Sequence, residues 1–90
     1  MTELKDTIAR EIQELETWRD RLRVRAHLLK SEMRDTWMRI EGHWPEIEQK
    51  FRELDKPSRG AFEELGKSLK GMLGEIRADY RRIEEQEAKG

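Results

Sequence analysis

Apolar residues recur along this chain at Leu4, Ile8, Ile12, Leu15, Trp18, Leu22, Ala26, Leu29, Met33, Trp37, Ile40, Trp44, Ile47, Phe51 and Leu54, always three or four residues apart. On a helix that advances about 100° per residue, these positions share one arc of roughly 120°. After a break the rhythm resumes at Phe62, Leu65, Leu69, Met72, Leu73, Ile76, Tyr80 and Ile83. The intervening positions are mostly Glu, Arg, Lys, Asp and Gln, many of them good helix formers. No useful stretch alternates with period two, so strands are not expected. The pattern predicts an all-α fold: an antiparallel helical hairpin or coiled coil, assembling into a helical bundle.

Two segments interrupt the pattern. At Gly42-His43-Trp44-Pro45, a glycine followed by proline and then Glu46 and Glu48 resembles a helix stop and restart. At Asp55-Lys56-Pro57-Ser58-Arg59-Gly60, Asp55 can cap a following helix, Pro57 suits its first turn, and Ser58 and Gly60 favour a bend. The stripe crosses Pro45 in register, which favours a kink there and a reversal at the second segment. The expected layout is one domain with helix 1 over about 3–54, kinked near 42–45, a turn over about 55–60, and helix 2 over about 60–86. An equal-armed hairpin turning at 42–45 is the alternative.

This layout leaves an arm uncovered. Helix 2 reaches back along helix 1 only to about residue 27, so Leu4, Ile8, Ile12, Leu15, Trp18 and Leu22 have nothing to pack against. Each such side chain gains roughly 1.5–3 kcal/mol on burial, and a stripe of six is large for a soluble monomer. The expected answer is self-association through these residues into a homo-oligomer, with a two-fold dimer favoured.

Composition narrows the classes of function. Charged residues make up 43% and apolar types 34% of 90 residues, which suits long helices sharing a narrow seam. The 19 basic and 20 acidic residues nearly cancel, so no overall field steers the chain toward nucleic acid or anionic lipid. With no cysteine, disulfides and thiol chemistry are excluded. The N-terminus carries charge from its third residue and lacks an apolar signal core, and no apolar run approaches the roughly 20 residues that span a bilayer. The expected compartment is cytoplasmic.

No catalytic, cofactor or metal site is expected. His27 and His43 stand alone, without the His partner or Glu-x-x-His spacing that a helical metal site needs. Carboxylate pairs such as Glu63-Glu64 and Glu84-Glu85 suit a solvated helix surface, because acid–base catalysis needs an enclosing pocket. Residues 19–30 carry Arg19, Arg21, Arg23, Arg25 and Lys30 against Asp20 alone. Their alternate spacing swings them to both sides of the helix, where they can pair with acids across an interface; Arg25 and Lys30 should meet the 84–88 region. A nucleic-acid role for this segment is the third-ranked reading. Trp18, Trp37 and Trp44 lie on the stripe and suggest a core of three or four helices, or contacts for a partner. Gly60, Gly71 and Gly74 face away from the second stripe, and Gly66 flanks it.

The segment Ala61-Phe62-Glu63-Glu64-Leu65-Gly66-Lys67-Ser68-Leu69-Lys70, after Phe51-Arg52-Glu53-Leu54, resembles a group of short bacterial coiled-coil proteins of unknown function. The likeness covers the C-terminal half. That group usually has Trp at the position of Phe62, and Pro57 departs from its pattern. The resemblance implies a helical coiled coil in a bacterial cytoplasm and carries over no functional residues. The function expected is a non-enzymatic structural or protein-interaction module. A peripheral module for lipid or membrane surfaces stands second, because its polar faces carry as much acid as base.

Overall fold

The computed structural model describes residues 3–55 and 59–89, and within it every long element is helical. Helix α1 covers Glu3–Arg23, α2 Ser31–Glu53 and α3 Arg59–Lys89, with a single 3₁₀ turn at Ala26–Leu28. They form one elongated bundle, 47 × 19 × 17 Å. The all-α class and the packing of helix on helix agree with the pattern of apolar positions. The number of reversals does not.

Helix 1, expected over 3–54, is two helices. The chain leaves helical geometry after Arg23, turns back through 24–30, and re-enters a helix at Ser31. The Gly42–Pro45 segment, by contrast, lies inside α2, which passes through Pro45 as continuous helix. The second reversal falls between Leu54 and Arg59, within the expected turn; Lys56, Pro57 and Ser58 lie outside the described residues.

Contacts between the helices fix their directions. Lys5 pairs with Asp55, and Arg19 with Glu41, so α1 and α2 run antiparallel. Glu14 meets Arg77 and Arg25 meets Glu87, so α3 returns parallel to α1. Helix α3 lies backbone-close to both others, whereas α1 and α2 meet only through their side chains. Gly66 is one reason for that closeness. A Cβ placed there would stand 2.7 Å from Leu4 Cδ2, so the bare backbone lets α1 settle against α3. Nothing lies within 4 Å of a Cβ at Gly42, Gly60, Gly71 or Gly74.

The core takes one stripe from each helix. Ile8, Leu15 and Leu22 come from α1, Trp37, Ile40, Trp44 and Ile47 from α2, and Leu69, Leu73, Ile76, Tyr80 and Ile83 from α3. Leu29 and Leu54 close the two ends.

Candidate interaction surfaces and the polar centre of the bundle

The six residues expected to form a self-association interface are packed within the chain. Ile8, Leu15 and Leu22 are fully buried, and Leu4, Ile12 and Trp18 are partly buried against the same core. Their expected exposure assumed a two-helix layout. Folding back at 24–30 lays α1 along α3 and meets the same burial demand inside one molecule.

At mid-bundle the apolar core contains a polar centre. Trp44 Nε1 donates to the Tyr80 hydroxyl at 3.0 Å, both groups being buried. Trp18 and Trp37 lean on the same tyrosine ring at centroid distances of 5.7 and 6.0 Å, with tilts of 55° and 33°. Such offset geometries suit aromatic quadrupoles. Burial pushes the Tyr80 hydroxyl up to about 12, partly opposed by the hydrogen bond from Trp44. The buried Trp18 Nε1 has no hydrogen-bond partner among the described residues. The three tryptophans therefore belong to the core.

A forked ion pair closes this centre on its α1–α2 side. Arg19 Nε lies 2.6 Å from Glu41 Oε2, its Nη2 lies 3.2 Å from Oε1, and its guanidinium sits 5.1 Å from the Trp44 ring centre. The hydrogen bond to Glu41 is the largest influence raising the Arg19 pKa.

The remaining charges of the basic segment divide into paired and unpaired. Arg23 reaches Glu41 at 3.9 Å. Arg25 Nη2 lies 3.5 Å from Glu87 Oε1, an ion pair without hydrogen-bond geometry. Arg21 and Lys30 make no ion pair among the described residues. The expected meeting of Arg25 with the C-terminal glutamates thus occurs, while Lys30 only lines a groove beside Glu87.

The turn that carries Arg25 and Lys30 also holds Val24 and Leu28, which are 70% and 71% exposed. Met38, on α2, is the third large apolar side chain left in solvent among the described residues. The sequence signal for Val24 and Leu28 was present, since neither belongs to the stripe, but a continuous helix made them look incidental.

Two open grooves run along the bundle. One, between α2 and α3, is lined by Arg39, His43, Met72, Glu75 and Asp79; the other lies under Leu28, Met33 and Gln86. His43 lies 3.8 Å from Glu46, on its own helix. Among the described residues no group of three or more His, Cys, Asp or Glu side chains could share a metal ion. None of the described helices is long and apolar enough to cross a membrane. Compared with known protein families, curated proteins and solved structures, the chain matches none.

Proposed function

We propose that this chain is a non-catalytic protein-interaction module, a three-helix bundle that offers its α1–α2 turn to an acidic protein surface. One observation carries the reading: Val24 and Leu28 stand in solvent in a turn that holds Lys30 and follows Arg21 in the last turn of α1, and neither Arg21 nor Lys30 has an ion-pair partner among the described residues. The long stripe is spent on the core, so this turn is the main place where large apolar side chains and free positive charge coincide. Desolvated apolar contacts ringed by charge are the usual anatomy of a protein interface.

A photo-crosslinking residue at Leu28, with a second at the exposed Glu64 on α3 as control, tests the reading in the source cells. The expected result is one recurrent acidic protein captured from position 28, not from position 64, and lost in Arg21→Glu/Lys30→Glu. Capture at position 28 no different from position 64 would overturn it. So would flotation with anionic vesicles that the same double substitution abolishes, because the turn would then be a lipid contact.

A further inference from the structure

The turn between α1 and α2 is composed mostly of residues that favour helix. Positions 24–30, Val-Arg-Ala-His-Leu-Leu-Lys, contain no Gly, Pro, Asn, Asp or Ser. Ala, Leu, Arg and Lys stand at the favourable end of the helix scale. The other reversal, by contrast, carries Asp55, Pro57 and Ser58 in its sequence. No described residue adopts a positive φ, so nothing in the turn is held by left-handed geometry. Neither Arg25, before the 3₁₀ turn, nor Lys30, before α2, supplies a side-chain cap. The departure from helix is concentrated at Leu29 and Lys30, with φ/ψ of −69°/146° and −68°/159°. Meanwhile Leu22, Ala26, Leu29 and Met33 keep the helical spacing straight through the turn. Local preference and tertiary fold therefore disagree at this turn.

We propose that a second copy of this chain exchanges α1 with the first. The turn straightens, residues 3–53 become a single helix about 75 Å long, and α1 of each copy occupies the seat on α2 and α3 of the other. This association is separate from the acidic partner proposed above and does not rest on it. The seat needs no new complementarity: the Leu4–Gly66 approach, the Arg19–Glu41 fork and the Glu14–Arg77 pair all re-form between copies. What changes is the turn, which gains helical hydrogen bonds at both crossings. Exchange of identical elements is a low-cost route to dimers for this reason.

Helix α3 passes Arg25 of α1 at Glu87 and Met33 of α2 at Gln86, two and three residues before Lys89. In the exchanged pair the two α3 helices therefore come end to end over the straightened turn, their Lys89 residues about 4–5 Å apart along the axis.

Two measurements decide the matter. The chain has no cysteine, so Glu14→Cys/Arg77→Cys places one reactive pair across the α1–α3 contact, where the native side chains approach to 3.8 Å. The dimer fraction, isolated at rising concentration and joined by a short bis-maleimide, should run as a covalent dimer on a denaturing gel, and the monomer fraction as a covalent monomer. A dimer fraction that yields only covalent monomer would show an ordinary surface contact and overturn the exchange, as would a wild-type chain that sediments as a monomer at every soluble concentration. The second is Lys30→Pro. Proline suits the φ of Lys30 and the extended Leu29 before it in the folded-back turn, but breaks a helix running through position 30. It should raise the dimer dissociation constant at least about a hundredfold and leave the monomer's melting midpoint undiminished. An unchanged dissociation constant would overturn the proposal. Capture of an acidic partner at Leu28 is read independently of either result, so this proposal and the preceding one fail separately.

Discussion

Tyr80 accepts from Trp44, touches Trp18 and Trp37 with its ring, and is sealed from water at the centre of the bundle. Tyr80→Phe keeps the ring but leaves the Trp44 indole N–H without an acceptor, which should cost about 1–3 kcal/mol in denaturant unfolding. The hydroxyl also makes stability depend on pH in a set direction. In the unfolded chain it ionises near 10, whereas in the folded protein it holds its proton to about 12. The folded state then binds the proton more tightly, so this contribution is complete below about pH 10 and lost as pH rises toward 12. Melting midpoints followed across that window should fall more steeply for the wild type than for Tyr80→Phe. Spacing put the tryptophans on the apolar stripe but left core packing and partner contact both open. Their polar partners could not be read from it, because Trp44 and Tyr80 are 36 residues apart and only packing brings them together.

Helix α2 shows how an element can override its own local signals. Gly42 and Pro45 both weaken a helix, yet α2 runs through them because Ile40, Trp44 and Ile47 are buried on one face. Pro45→Ala restores a hydrogen-bond donor to an exposed position in that helix and should stabilise the protein by about 1–3 kcal/mol. The glycines of α3 separate by what surrounds them. Gly71→Ala and Gly74→Ala add a methyl group in open space and should each stabilise by about 0.5–1 kcal/mol. Gly66→Ala must displace the end of the Leu4 side chain and should gain less than either. Thermal unfolding of the three variants side by side checks that order; equal gains at all three would mean that Gly66 is not needed for the approach of α1. The sequence placed Gly66 beside the seam and the other two on the outer face, but which neighbour Gly66 admits depends on where α1 lies.

At the scale of the whole molecule, α1 is part of the core. Leu15 is fully buried between the helices, so Leu15→Asp puts a charge where it has neither water nor partner. Helicity should be lost cooperatively along the chain, at a cost above about 3 kcal/mol. Had α1 been a separate dimerisation arm, the same substitution would have melted only the first twenty-five residues or so and left α2 and α3 folded; circular dichroism with residue-level hydrogen exchange tells the two apart. The helical period, the apolar stripe and the reversal after Leu54 were all legible in the sequence, because each is a local property: spacing sets which face is buried, and turn-forming residues mark where a helix stops. The reversal at 24–30 was not, because most of its residues are helix formers, the apolar register runs through it unbroken, and it holds no Gly or Pro to mark a stop. What decided it was burial. A helix over residues 3–53 is longer than α3 can cover, and folding α1 back onto α3 removes from water an apolar stripe worth more than the few helical hydrogen bonds lost in the turn.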